Sequence, residues 1–228
     1  MNGHRFSLDG RLSLIASLVR KNGIAVDVGT DHGYLPLWLI LEGICPKVIA
    51  VDVNEQPLCA ARKNAEKYSL PDGAFDLRLS DGLLAVGADE ADDVIIAGMG
   101  GELMAEIIGK AEYLKCPDKH LILQPMSSAE ELREYLYSAG FFVAREPVVE
   151  CGKHVYSVMD TYYAGDKRAL TDAERLVGSI FQNGDEASRK YMEAKQKAVE
   201  KKLHGAKIKG DSEEIERLSR LFEELGRL

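Results

Sequence analysis

The chain has 228 residues, 46% of them hydrophobic, and a net charge of −8 from 29 basic and 37 acidic side chains. That length and apolar content support one full α/β domain with a small appendage and exclude a disordered chain. The longest apolar run, residues 35–41, contains Pro36 and is too short to span a bilayer, and the N-terminal ten residues lack the apolar core of a signal peptide, so a cytoplasmic protein with no membrane contact is expected.

In chain order, residues 7–20 read as a short amphipathic helix with Leu8, Leu12, Ile15 and Leu18 on one face, placed to cover a sheet or a ligand mouth. Strands are predicted at Ile24–Val28, Lys47–Val51, Phe75–Leu79, Asp93–Ala97, His120–Gln124, Phe141–Val149 and Val155–Tyr163, with helices at Tyr34–Glu42, Gln56–Tyr68, Glu102–Tyr113 and Ala129–Ala139. This alternation predicts an α/β fold: a doubly wound sheet of seven strands whose last pair is antiparallel. Ligands of such sheets sit beyond the carboxyl ends of the strands.

After Gly165 the pattern changes, which divides the chain into residues 1–165 and 166–228. Thr171 to Glu174 forms a capping box, and Val177, Ile180, Phe181, Ala187, Tyr191, Ala194 and Ala198 recur at helical spacing in what reads as one helix. A second helix begins near Asp211, with Ile215, Leu218, Phe222 and Leu225 on one face. The two should pair as an antiparallel, coiled-coil-like hairpin around a turn at His204, Gly205 and Gly210.

The first strand runs into Gly29-Thr30-Asp31-His32-Gly33. Gly29 permits the tight turn and Gly33 would let a ligand approach the backbone, but Asp31 stands between them. A dinucleotide would bring its pyrophosphate to this helix N-terminus and calls for G-x-G-x-x-G, which is absent here. S-adenosylmethionine carries a sulfonium and an ammonium and no phosphate, so the same carboxylate attracts it. A dehydrogenase is disfavoured and a methyltransferase expected.

Other strand ends supply matching chemistry. Asp52 lies about 20 residues past the glycine turn, where an acid hydrogen-bonds ribose hydroxyls. Asp81-Gly82 follows the third strand and could meet an adenine, Gly98-Met99-Gly100-Gly101 follows the fourth as an open glycine loop, and Gln124-Pro125 follows the fifth. Each alone reads equally as a cap or turn; five on one sheet edge read as a site. His32 either caps the helix or bonds a backbone group, or else faces the substrate pocket, Met99 is either pocket wall or core, and Tyr34 and Trp38 are expected to pack the first helix.

Cys45, Cys59, Cys116 and Cys151 are scattered, with neither C-x-x-C nor metal-ligand spacing, so buried, reduced thiols and no bound metal are expected. Charge is uneven: residues 1–22 carry four basic and one acidic side chain, residues 23–165 eleven and twenty-three, and residues 186–209 eight and three. An acidic body with basic extensions suits a cationic cofactor inside and a polyanion at the edges, although a charge-rich helix can equally be a solvated face.

The segments VDVGTDHGYLP, IAVDVNEQPL, SDGL, IIAGMGG and LILQP, followed by a two-helix extension, resemble the bacterial tRNA methyltransferases that modify N1 of adenine 22. The resemblance covers essentially the whole chain. It implies a Rossmann-like class I methyltransferase sheet, S-adenosyl-L-methionine as donor, tRNA as acceptor, and a C-terminal hairpin that helps hold the tRNA. Arg11 looks like the family's N-terminal arginine, and Asp52 stands where the family often has Glu. The candidate cofactor-binding set is Asp27, Gly29, Thr30, Asp31, His32, Gly33, Asp52, Val53, Asn54, Asp81, Gly82, Ala97, Gly98 and Met99. Candidates at the reacting atoms are Asp31, His32, Gly98, Met99 and Gly100; candidates for tRNA contact are Arg11, Gln124, Lys195, Lys197, Lys201 and Lys202. Rival readings are a methyltransferase of another substrate and a non-catalytic domain that binds tRNA or a partner. A monomer is expected, with dimerisation through the hairpin left open.

Overall fold

The computed structural model describes residues 6–228; the first five residues of the predicted 1–165 unit lie outside it. Its elements are α1 (Gly10–Leu18), β1 (Ile24–Val28), α2 (Tyr34–Leu41), β2 (Lys47–Asp52), α3 (Glu55–Ala65), β3 (Phe75–Leu79), β4 (Asp93–Gly100), α4 (Gly101–Lys110), β5 (His120–Ser127), α5 (Ala129–Ala139), β6 (Phe141–Arg145), β7 (Val148–Cys151), β8 (His154–Ser157), β9 (Met159–Tyr163), α6 (Asp172–Val177), α7 (Glu186–Lys209) and α8 (Ser212–Leu225). Seven strands form one sheet in the order β3-β2-β1-β4-β5-β9-β6. The first five are parallel, with Val28 opposite Val51 on one side and Ile96 on the other, and β9 runs antiparallel between β5 and β6.

The central strands are buried on both faces, which is why their sequences read as continuous apolar runs. Side chains alternate between two cores. Val26, Val28, Val94, Ile96, Leu121 and Leu123 pack beneath α4 and α5 with Met104, Leu132 and Leu136, whereas Ala25, Ile95 and Ile122 pack beneath α1 and α2 with Ile15, Leu35 and Leu39. The strand order reverses between β1 and β4, so both carboxyl ends open into one crevice.

Several expectations are corrected. The long final hairpin is bent into two pieces, because Glu146 turns its carboxylate into the interior against Arg133 (2.5 Å) and Pro147 has no N–H to continue the ladder. Beyond this kink, β7 and β8 form a separate antiparallel ribbon against α1 and α7. The expected glycine loop at 98–101 is instead the irregular end of β4, with register shifts on either side of Met99, running directly into Gly101, the first residue of α4. α1 is shorter than 7–20: Asp9 caps it by accepting from Leu12 N–H at 2.7 Å. Of the four thiols only Cys45 is buried, where desolvation pushes it up to about 12; Cys59 is exposed.

The C-terminal helix predicted from Thr171 onward is also interrupted. The capping box forms, Thr171 Oγ1 accepting from Glu174 N–H and Glu174 from Thr171 N–H, but α6 ends at Gly178 (φ +56) and a second turn at Gly184 (φ +71) precedes α7. Gly205 lies inside α7, and Gly210 (φ +71) alone makes the turn into α8, which Asp211 caps. Val177, Val199, Ala206, Leu218, Leu221 and Leu225 form the core of this helical part. No described helix is long and apolar enough to cross a membrane.

Candidate active site

The turn after β1 is held to β2 by Gly29 N–H and Thr30 N–H, both donating to Val51 O at 2.8 and 3.2 Å. Gly29 has φ +76, and a Cβ there would overlap Cε of Met99. Met99 is therefore wall to the turn while its other contacts join the core. Asp27, one residue before the strand end, is 7% exposed. Burial pushes its carboxyl up to about 6; the Thr30 hydroxyl and the Arg11 charge work against this rise, and Asp52 adds to it. Thr30 Oγ1 is buried beside the Asp27 carboxylate and, among the described residues, closes no hydrogen bond of good geometry.

Asp52 ends β2 with one carboxylate oxygen accepting from Asn54 N–H at 2.8 Å; beside it Val53 is 63% exposed. Ser80 pins the next turn by donating to Gly82 O (2.9 Å) and accepting from Ala85 N–H (3.1 Å), which leaves the Asp81 carboxylate exposed. Together these ends offer an acidic, partly apolar edge. A buried carboxylate, a hydroxyl awaiting a partner, a turn that tolerates no Cβ, and an exposed valine beside Asp52 fit a cofactor bearing an ammonium, hydroxyls and a flat ring. Pyrophosphate fits this donor set poorly.

The crevice itself is a cavity of about 540 Å³ whose walls include Arg11, Asp27, Gly29, Asp31, Tyr34 and Gly98. Asp31 is almost fully exposed there, with its Oδ1 3.2 Å from His32 Nε2. His32 adopts φ +57 and stacks on Tyr34, and its carbonyl accepts from Asn64 of α3. Its imidazole is not a helix cap. Arg11 Nη1 donates to Gln124 Oε1 at 2.8 Å and lies 3.6 Å from where a Gly98 Cβ would stand.

Four candidates have other neighbours than expected. Gly33 admits close packing of α3, since its Cβ would lie 2.8 Å from Ala61 Cβ, and does not line the cavity. Gln124 is fully buried and its amide donates to Pro125 O, so it aims Arg11 and has no free face for RNA. Gly100 has negative φ and its Cβ would meet Ser127 Oγ at 3.3 Å. Lys195 is held by Glu130 at 2.9 Å and lies 5.4 Å over the Tyr191 ring, whereas Lys197, Lys201 and Lys202 are exposed on α7.

Sequence reasoning missed Tyr34, Met126 and Tyr156 as cavity residues, yet all three line it. Tyr34 points outward, its ring tilted by 58° against Phe6 at 5.5 Å, instead of packing its helix, unlike the half-buried Trp38. Met126 follows Gln124-Pro125 in the last residues of β5, so its place at a strand's carboxyl end could have found it. Tyr156 carries no such signal, because only the kink at Glu146-Pro147 folds β8 over the cleft.

A family described as a methyltransferase domain matches residues 8–159. The tRNA (adenine(22)-N(1))-methyltransferase of Bacillus subtilis is 32% identical over 78% of this chain and 74% of its own. Among solved structures, the B. subtilis m1A22 tRNA methyltransferase TrmK superposes with a TM-score of 0.82 at 27% identity over 96% of both chains. TrmK of M. capricolum, solved with the cofactor product S-adenosyl-homocysteine, gives 0.79 at 26% over 98% and 99%. The acidic crevice and the matches over nearly the full length lead to one assignment: the chain belongs to the bacterial tRNA (adenine(22)-N(1))-methyltransferase family.

Proposed function

We infer that the protein methylates N1 of adenine 22 in tRNA with S-adenosyl-L-methionine as donor. The observation that carries this reading is the acidic crevice at the β1–β4 switch point, with buried Asp27, exposed Asp31 and Arg11 facing one open cavity. In the proposed arrangement Asp27 and Thr30 hold the amino-acid end of the cofactor, Asp52 its ribose hydroxyls, and Val53 with the Asp81 turn its adenine. Bound there, S-adenosyl-L-methionine supplies an electrophilic methyl group on a sulfonium.

The chain's own contribution is placement. N1 of adenine carries an in-plane lone pair, so no protein nucleophile and no proton acceptor is needed; the base must be held in line and kept from water. Tyr34 and Tyr156 offer the faces between which a flat base can sit, and the bulge at Gly98 leaves its entry clear. The product ring is cationic, and Asp31, with the carbonyls of Gly98 to Gly100, stabilises that charge as it develops. N1 lies on the pairing edge, so the adenine enters unpaired.

Residues 1–165 carry this chemistry in the proposed division, and 166–228 grip the tRNA through Lys197, Lys201 and Lys202. One chain holds every group named, so a monomer is the proposed acting unit, working in the cytoplasm where tRNA is matured. Nucleoside mass spectrometry of tRNA incubated with the protein and labelled cofactor tests the reading: 1-methyladenosine is expected, and label in another nucleoside or in none overturns it.

A further inference from the structure

A second cavity, of about 560 Å³, opens between the end of β5, the ribbon strand β8 and helix α7, with Met126, Ser127, His154, Tyr156, Tyr191 and Lys195 among its walls. Met126 and Tyr156 also line the catalytic crevice, so the two spaces lie side by side across a shared wall. We propose that this second cavity holds a nucleotide adjacent to the target adenine, making β8 and α7 part of substrate selection. The proposal rests on the tRNA reading above.

Three features support this occupant. Flipping a base out of its stack strips its neighbour of one stacking partner, and a protein that stabilises the flipped state gains by supplying a replacement surface. Here His154 and Tyr156 provide two rings 6.0 Å apart and inclined by 40°, directly beyond the crevice. Met126 is 53% exposed at the shared wall, an apolar wedge where two successive bases would part. The rim also carries Lys153, exposed on the turn before β8 where it can meet a phosphate, while Lys195, paired with Glu130, belongs to the wall. The volume lies within the range of sites that enclose small organic groups.

The test uses the full-length protein and a transcribed tRNA in three forms: intact, or with an abasic nucleotide on the 5′ or the 3′ side of the target adenine. With the wild type, one abasic substrate should lose about tenfold or more in kcat/KM, the size of effect that removal of one base–aromatic stack produces. His154→Ala, at an exposed position of a ribbon strand, should lose a similar factor on intact tRNA and show no further loss on that abasic substrate, with cofactor affinity unchanged. Wild-type kcat/KM in His154→Ala, or equal turnover of all three substrates by the wild type, overturns the proposal while leaving the methyltransferase reading in place. Failure of the wild type to methylate intact tRNA overturns both.

Discussion

Arg11 and Gln124, 113 residues apart, are joined by a 2.8 Å hydrogen bond that fixes helix α1 to the end of β5 directly beside Gly98. The bond gives a fully buried glutamine a charged partner and holds a guanidinium over the crevice, where its charge acts on Asp27. Its consequence can be measured through pH. Asp27 must be ionised to hold an ammonium, and burial places its carboxyl at about 6. Affinity for S-adenosyl-L-methionine should therefore fall about tenfold per pH unit below 6 and be level above 7. Arg11→Ala removes a charge that lowers the Asp27 pKa, so the midpoint should move upward. Calorimetric titration from pH 5 to 8 checks both; equal affinity across the range contradicts the role of Asp27. For folding the sign is opposite. A carboxyl raised from 3.8 to about 6 contributes stability fully present below 3.8 and lost as pH rises through 6, so Asp27→Asn should stabilise the ligand-free protein at pH 7.

The glycines at the end of β4 are not equivalent. Gly98 has φ +79 and faces Arg11, whereas Gly100 has φ −71 and a hydroxyl as neighbour. Gly98→Ala should cost about 1–2 kcal/mol in backbone strain and sharply reduce tRNA turnover, with Gly100→Ala close to wild type in stability. Thermal unfolding and methylation rates of the two variants decide this; equal behaviour contradicts an entry path at Gly98.

The α7 lysines divide by their surroundings. Lys197, Lys201 and Lys202 are exposed and can meet phosphates, and replacing all three by Gln should flatten the dependence of log affinity on log salt by roughly 0.7–0.9 for each phosphate no longer neutralised. Lys195→Gln should instead loosen the α5–α7 junction by about 1 kcal/mol or less, since its pair with Glu130 is only partly buried. tRNA titrations at several salt concentrations test the first, and an unchanged slope would make these lysines a solvated face.

The hairpin is anchored by a buried ion pair. Arg133 of α5 binds the Glu146 carboxylate and donates to the carbonyls of Arg175 and Leu176, while Gly178 passes so close that a side chain there would collide with Glu146. Glu146→Leu leaves the guanidinium unpaired and should destabilise the protein by about 3–5 kcal/mol, read from urea unfolding. A change under 1 kcal/mol would show that the pair does not anchor this junction.

Much of this was legible in the sequence because it rests on local rules. The strands β1, β2, β4 and β5 follow from buried apolar runs and the edge strand β3 from the alternation of Phe75, Leu77 and Leu79 with Asp76 and Arg78, and the Asp27, Asp31 and Asp52 positions follow from their places at or near strand ends. What was hidden depends on partners distant in sequence. The kink at Glu146 needs Arg133, the burial of Gln124 needs Arg11, and the role of Gly33 needs Ala61 on another helix. The break at Gly178 was concealed because Val177, Ile180 and Phe181 continue the helical spacing across it, and Tyr156 reached the crevice only through the bent ribbon.

The most direct test of the account is reverse transcription of tRNA after incubation with the protein and S-adenosyl-L-methionine. A methyl group on N1 blocks the pairing edge of the base, so one cofactor-dependent stop is expected immediately before adenine 22, abolished when tRNA is treated with Asp27→Ala protein. Read-through across adenine 22, or a stop at another position, would contradict it.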